Sequence, residues 1–221
     1  MPYTWHFEVV AENFFYLVTG LKLTIFICAS SMALAIVLGL IIALARLSGI
    51  RLFSALATAY TEFFRSTPVY TQLIWIYYAL PIVTGVTPPS LLTAIVAFAL
   101  NLGAFLAEIY RAGIMSISRG QREAAFALGM TGAQAMRRVI LPQAVTRVIP
   151  PLGSMWVSLF KDTSIVAMIT VADLMYRSKV IAVKTYRPLE ILTTTAIIYF
   201  LVTYPQSRGV DWLHEKLRVR E

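Results

Sequence analysis

Two long runs without a charged residue constrain this chain more than any other feature of its sequence. Residues 23–45 and 66–107 contain no Asp, Glu, Lys or Arg. A helix of about 20 residues crosses the hydrocarbon core of a bilayer, because each residue rises about 1.5 Å and the core is about 30 Å thick. The first run therefore predicts one membrane span. The second has 42 residues and predicts two spans, joined where Pro81, Gly85 and Pro88-Pro89 interrupt it.

The composition agrees with a membrane-embedded chain. Of the 221 residues, 58% are hydrophobic and 14% are charged, whereas about a quarter of the residues of a soluble domain are charged. This deficit excludes an ordinary soluble enzyme, and it excludes intrinsic disorder as well. The single cysteine, Cys28, cannot form an internal disulfide. No metal site and no catalytic residue is expected.

The remaining charges delimit two more spans, so the sequence predicts an all-α membrane protein with five transmembrane helices. The five helices form one transmembrane domain over residues 1–221, with a long loop at 111–147 between the third and fourth spans. The predicted spans are 21–46, 66–84, 89–110, 148–172 and 190–207.

The distribution of Lys and Arg predicts the orientation. If the N-terminus is outside, 13 of these residues fall on the inner side and 5 on the outer side, with Lys161 within the membrane. Cytoplasmic loops carry the excess of Lys and Arg. The N-terminus is therefore predicted outside and the C-terminus in the cytoplasm.

The loop at 111–147 predicts two short helices. Ser118 with Gln121 and Thr131 with Gln134 both have the capping-box spacing. Gly129 suits the left-handed position after the first helix, and Pro142 is expected to end the second. The alanine-rich first helix presents an apolar surface that needs cover. This surface packs either against the membrane face of the same chain or against a separate subunit.

Several stretches resemble one family of membrane proteins. Glu123-Ala124-Ala125, followed by Gly129 and Leu141-Pro142, resembles the EAA signature of the membrane subunits of bacterial ATP-binding-cassette importers. Residues 64–68, 107–113 and 161–164 resemble the polar amino-acid branch of these permeases, and the whole match runs from about 20 to 207. Val139 stands where the family usually has Ile, and Ser66 where it more often has Gly.

The resemblance implies a set of partners. It implies a coupling helix that docks on a separate ATPase subunit, a second permease that makes a dimer, an extracytoplasmic solute-binding protein, and a place in the bacterial inner membrane. None of the 11 glycines is followed by lysine, so the chain has no P-loop and ATP–Mg is expected on the ATPase. No cofactor on this chain and no nucleic acid are expected. The implied coupling residues are Glu123, Ala124, Ala125, Phe126, Leu128 and Gly129.

Two adjacent charges, Lys161 and Asp162, lie inside the fourth predicted span. Each costs about 2.5–3.5 kcal/mol at the centre of a spanning helix, and such residues are functional by default. A helix broken at Lys161 could receive the carboxylate and ammonium of a zwitterion, and the resemblance also favours a polar amino acid. The alternative is a structural pair near the interface. The predicted substrate-binding residues are Lys161, Asp162, Thr163 and Ser164.

The sequence thus predicts the permease subunit of an ATP-driven importer. An ion-coupled secondary transporter or channel is the alternative, although no inverted repeat supports it. Glu108 and Arg111, like Glu62 and Arg65, are interpreted as side chains that reach the membrane interface. Asn101 is predicted to form a hydrogen bond between helices.

Overall fold

The computed structural model describes residues 3–217, and within them all regular structure is helical, without a β-strand. The helices in chain order are α1 (Glu8–Leu47), α2 (Arg51–Ser66), α3 (Val69–Ile74), a π-helical turn (Trp75–Ala79), α4 (Leu80–Thr84), α5 (Ser90–Met115), α6 (Arg119–Ala127), α7 (Gly132–Ala135), a second π-helical turn (Met136–Ile140), α8 (Leu141–Asp162), a 3-10 helix (Thr163–Ile169), α9 (Leu174–Thr185) and α10 (Pro188–Leu217).

Four of the described helical segments are long and apolar enough to cross a membrane. They are Glu8–Leu47, Ser90–Met115, Gly132–Ile169 and Pro188–Leu217. The second predicted span corresponds to the apolar helix Val69–Thr84, whose 16 residues reach about 24 Å, less than the core thickness. The all-helical prediction is confirmed, and the count of five spans stays a prediction.

The helices extend beyond the predicted spans. α1 has 40 residues and begins at Glu8 instead of near residue 21. α10 continues past the predicted end at 207 to Leu217. Charge-free runs locate the apolar part of a helix, but backbone hydrogen bonding continues through flanking polar residues that need no lipid.

Each π-helical turn lies just before a proline. Pro81 and Pro142 follow their turns after one α-helical residue, and the N–H of Leu141 bonds to the carbonyl of Met136, five residues back. Proline lacks an N–H and its ring crowds the carbonyl four residues back, so a wider turn at this point accommodates the ring. The predicted end at Pro142 is therefore wrong, since the helical segment runs on from Gly132 to Ile169.

The described residues form two compact units. The first contains residues 3–33, 68–98 and 156–207. Its core packs α1 against α9 and the start of α10 and consists of Leu17, Leu174, Ile181, Ala182 and Ile191. Gly20 allows the close approach, because a Cβ there would lie 2.9 Å from the carbonyl oxygen of Asp173.

The second unit contains residues 34–67, 99–155 and 208–217. One core cluster packs α1, α2 and α5 together through Ile42, Ala43, Ala57 and Ala107. At Gly39, an added Cβ would lie 2.8 Å from the Cβ of Leu106, so a small residue is required where α1 crosses α5. A second cluster consists of Ile117, Ile140 and Ala144. It packs the segment before α6 against the second π-helical turn and the start of α8.

Candidate functional site

The short helix α6 carries the residues implied in coupling. It ends in a pair of hydrogen bonds, from the N–H of Met130 to the carbonyl of Ala125 (3.1 Å) and from the N–H of Gly129 to that of Phe126 (2.9 Å). This pattern is a Schellman motif. Gly129 has the left-handed φ of +74° that the motif needs, so the helix end predicted there is confirmed.

One of the two predicted capping boxes is present. Thr131 accepts a bond from the N–H of Gln134 (3.3 Å), and the Gln134 side chain accepts one from the N–H of Thr131 (2.8 Å). The box at Ser118 is wrong, since Ser118 makes no side-chain cap bond. The side chain of Gln121 instead accepts a bond from Gln143 on α8 (3.3 Å). A tertiary contact has thus replaced the local one.

The exposed side of α6 forms a continuous surface, here called the docking face. Leu128 is 78% exposed and Phe126 is 49% exposed, and both are apolar. Ala125 is 2% exposed, so its side chain packs into the chain. The docking face consists of Glu123, Ala124, Phe126, Leu128 and Gly129, all exposed.

A cavity of about 470 Å³ lies beside α6 in the same unit. Its wall is mostly apolar, and Arg122 is its charged residue. The lining residues are Leu47, Ile114, Met115, Arg122, Phe126, Gly132, Ala135, Met136 and Ile140.

The predicted substrate-binding residues lie where α8 changes into a 3-10 helix. Lys161 and Asp162 are exposed at this junction, and within residues 3–217 neither forms an ion pair within 4 Å. Thr163 is buried and donates to the carbonyl of Phe160 (2.7 Å), while Ser164 donates to that of Lys161 (2.9 Å). The helix tightens here without breaking, because Asp162 keeps a right-handed helical backbone.

A group of three charges was not foreseen as a group. Glu108 on α5 accepts hydrogen bonds from Arg46 on α1 (Nη1 to Oε2, 2.5 Å) and from Arg111 (Nε to Oε2, 3.2 Å). The three side chains are 13%, 25% and 28% exposed in the order Arg46, Glu108, Arg111. Glu108 thus bonds to both arginines, and the interpretation of Glu108 and Arg111 as side chains that reach the membrane interface stays a prediction. Arg46 and Glu108 each end a charge-free run, and that shared position is the signal that could have paired them.

A family model described as "Binding-protein-dependent transport system inner membrane component" matches residues 35–219. The chain belongs to this family. It is accordingly an inner-membrane transport subunit, and the predicted resemblance to the membrane subunits of these importers is confirmed. Membership favours the importer permease over the ion-coupled transporter that was the alternative.

Relatives of similar length support the same assignment. The chain is 37% identical to the L-cystine transport system permease protein TcyL of Bacillus subtilis over 82% of its length and 79% of that protein. It is 35% identical to the glutamine transport system permease protein GlnP of Escherichia coli, over 92% and 93% of the two chains. It is 34% identical to the glutamate/aspartate import permease protein GltK of Escherichia coli, over 97% and 99%.

Solved structures give the same fold. The crystal structure of an amino acid ABC transporter with histidines matches with a TM-score of 0.92 and 34% identity, over 97% of this chain and 100% of the other. The inward-facing MetNI methionine ABC transporter matches with a TM-score of 0.78 over 94% and 99%. At 20% identity, this second likeness concerns the fold alone.

Proposed function

We propose that this chain forms the transmembrane pathway of an ATP-driven importer that carries a polar amino acid or a related zwitterion into the cytoplasm. The relatives named above transport cystine, glutamine, or glutamate and aspartate by their names. These solutes share an α-ammonium and an α-carboxylate, and they differ in the side chain. The common chemistry therefore defines the proposed substrate class.

The observation that carries the proposal is the exposed pair Lys161 and Asp162. Both charges lie in a helical segment apolar enough to span the membrane, and both are exposed. A charge cannot face hydrocarbon without a large penalty, so such residues face a cavity or a partner. In the proposed pathway Lys161 receives the carboxylate of the substrate and Asp162 receives its ammonium, while Thr163 and Ser164 hold the turn that presents them.

In this proposal the ATPase drives the conformational change of the permease through its contact with the docking face. Phe126 and Leu128 fit an apolar groove on a separate ATPase, which binds ATP–Mg, and Ala125 transmits force because it is packed into the chain. Closure of an ATPase dimer would move α6 and with it α8, a rigid-body transition between outward and inward states. No cofactor on this chain is needed for that cycle.

The assembly we propose contains two permeases, identical or homologous, with an extracytoplasmic binding protein that delivers the solute. Five spans per permease, with the N-terminus outside and Val69–Thr84 as the short second span, place α6 in the cytoplasm beside the ATPase. The distribution of Lys and Arg supports this orientation. A short helix such as Val69–Thr84 can serve as a span where the bilayer thins or flanking residues reach the interface.

Reconstitution tests the proposal. The complex is purified with its ATPase, placed in liposomes with its binding protein, and assayed for uptake and for ATP hydrolysis stimulated by each candidate amino acid. Because a charged hydrogen bond contributes about 1.5–3 kcal/mol, Lys161→Ala and Asp162→Ala should each weaken the response about 10- to 100-fold. Lys184→Ala, which removes an exposed cation on α9, is the matched control and should respond like the wild type.

Two outcomes count against different parts of the proposal. Uptake that proceeds without ATP or without the ATPase would refute the importer. Wild-type stimulation in both Lys161→Ala and Asp162→Ala would leave the importer intact and remove these residues from the substrate site.

A further inference from the structure

Three aromatic residues alternate in the segment before α1, at Tyr3, Trp5 and Phe7. Residues 3–6 belong to no helix or strand, and the rings of Tyr3, Trp5 and Phe7 contact one another in turn. We propose that these three residues, here called the aromatic anchor, bind the lipid interface of the membrane at the level where α10 begins.

The three rings of the aromatic anchor contact one another in the order Tyr3, Trp5, Phe7. Tyr3 and Trp5 make an edge-to-face contact with ring centroids 5.4 Å apart, and Trp5 and Phe7 are stacked with centroids 5.5 Å apart. The exposed fractions are 46%, 53% and 49% from Tyr3 to Phe7. Each residue is therefore about half covered by the protein, and the other half is available to a partner.

The aromatic anchor is fixed to α10 through one carboxylate. The Tyr3 hydroxyl donates to Oε2 of Glu190 (2.7 Å), and the backbone N–H of His6 donates to Oε1 (3.0 Å). Glu190 is fully buried, with Arg187 at 3.9 Å. Since a buried carboxylate needs its partners, these bonds hold the segment in place.

The position of Glu190 sets the depth of the aromatic anchor. Glu190 immediately precedes the charge-free run 191–207, so it marks the level at which α10 enters the hydrocarbon. Leu189 and Leu192 beside it are 49% and 41% exposed. The aromatic anchor is thus continuous with the membrane-embedded surface of a family whose members are inner-membrane components.

The chemistry of the aromatic anchor favours lipid over a protein partner. Trp and Tyr are enriched at the interface between headgroups and acyl chains, where an apolar ring and a polar tip are both satisfied. The segment 3–7 carries no Asp, Glu, Lys or Arg that could complement a charged protein surface. The proposed orientation makes this the outer leaflet, but the inference holds for either leaflet and does not depend on the transported substrate.

Trp5 itself reports the contact. The chain has four tryptophans, and Trp75, Trp156 and Trp212 are replaced by Phe so that Trp5 alone emits. The full complex is placed in vesicles whose lipids carry bromine near the headgroup or near the chain end. Bromine near the headgroup should quench the Trp5 emission strongly, because Trp5 is 53% exposed and would lie at the interface. Bromine near the chain end and aqueous iodide should both quench much less.

Tyr3→Phe tests whether the hydrogen bond to Glu190 holds the aromatic anchor at the lipid interface. This change keeps the ring and removes the hydrogen bond to Glu190, so lipid quenching of Trp5 should fall and iodide quenching should rise. Thr4→Ala is the matched control. Thr4 is exposed, and its hydroxyl is hydrogen-bonded to the ring of His6 and not to Glu190. It should leave the quenching of Trp5 unchanged.

A second probe covers the case in which the single-tryptophan chain does not fold. Trp5→Cys is labelled with a polarity-sensitive dye in a Cys28→Ala background, and the emission should shift to the blue in vesicles relative to the chain in solvent. Strong iodide quenching with no lipid quenching would overturn the proposal. Protection of Trp5 that requires the solute-binding protein would also overturn it and would identify a protein partner instead.

Discussion

Asn101 on α5 donates its side-chain amide to the carbonyl oxygen of Phe64, 2.9 Å away near the end of α2. In a helix this carbonyl would bond to the N–H four residues on, but that residue is Pro68, which has none. The same proline ends α2, since Thr67 before it is extended. One side chain therefore supplies the donor that the helix-ending residue cannot, and the predicted hydrogen bond between helices is confirmed.

Replacing Asn101 by Leu should destabilise the chain by about 1–3 kcal/mol, because it removes a partly buried hydrogen bond between α5 and α2. Thermal unfolding of the detergent-solubilised protein measures the effect. Cys28 is the single cysteine and is fully buried, so a thiol-reactive dye reports unfolding directly.

Asn13→Leu is the matched control for this substitution. Asn13 also donates its amide to a backbone carbonyl, that of Val9 (2.8 Å), but this carbonyl lies within α1 and already has the N–H of residue 13 as its helical partner. Its loss should change stability by less than about 0.5 kcal/mol. Equal effects of the two substitutions would show that the donor at Phe64 has no special role.

Features set by local chemistry could be predicted from the sequence. Charge-free runs located the apolar helices, Gly129 marked a helix end, and Pro68 marked another, because each depends on a few neighbouring residues. Helix ends depend on local backbone conformation, and membrane insertion depends on the transfer of apolar side chains out of water. A short stretch of sequence determines both.

Features set by contacts between distant residues could not be predicted in this way. Glu108 bonds to Arg46, 62 positions away, and the one signal in the sequence is that each of them follows a charge-free run. Gln121 bonds to Gln143 in place of its own cap. The helix continues through Pro142 by way of a π turn that contains Ile140, and Ile140 packs with the distant Ile117 and with Ala144. The 3-10 helix that follows Lys161 and Asp162 was not predicted.

Leu128→Glu should separate docking from folding. Leu128 is 78% exposed, so a charge there should change stability by no more than about 0.5 kcal/mol. If Leu128 fills a pocket on the ATPase, the buried charge should weaken association by at least about tenfold. Co-purification of the ATPase with the tagged chain measures this loss.

Ala125→Glu is the contrasting variant on the same helix. Ala125 is 2% exposed, so a carboxylate there should destabilise the chain itself by about 3 kcal/mol or more. Normal association of the ATPase with Leu128→Glu would contradict the proposal that the docking face binds the ATPase, whatever the result for Ala125→Glu.

Gly129 tests whether backbone conformation or side-chain space matters at the end of α6. Its φ is +74°, and a Cβ there would meet no described atom within 4 Å. Gly129→Val should therefore destabilise by about 1–2 kcal/mol through backbone strain alone, whereas Gly129→Asn should lose less, since Asn tolerates the left-handed region. Unfolding temperatures of the two variants measure the difference, and equal losses would point to a clash instead of strain.

Asp173 should make stability depend on pH. It caps α9, accepting a bond from the N–H of Tyr176 at 2.8 Å, and it is fully buried. Burial raises the pKa of Asp173 to about 6, although bonds from the backbone of Tyr176 and Met175 oppose this. In the unfolded chain the pKa is about 3.9. Between these values the folded state binds more protons than the unfolded state, so stability falls as pH rises from about 4 to 6 and then levels off.

Asp173→Asn should remove this dependence. The amide keeps the capping oxygen and carries no charge to desolvate, so the variant should be more stable than the wild type by about 2–3 kcal/mol at pH 7 and nearly equal to it at pH 4. Unfolding temperatures of both proteins, measured between pH 4 and 8, give the two profiles. Parallel profiles would show that Asp173 is already ionised in the folded chain at low pH, and that other carboxylates cause whatever slope the wild type has.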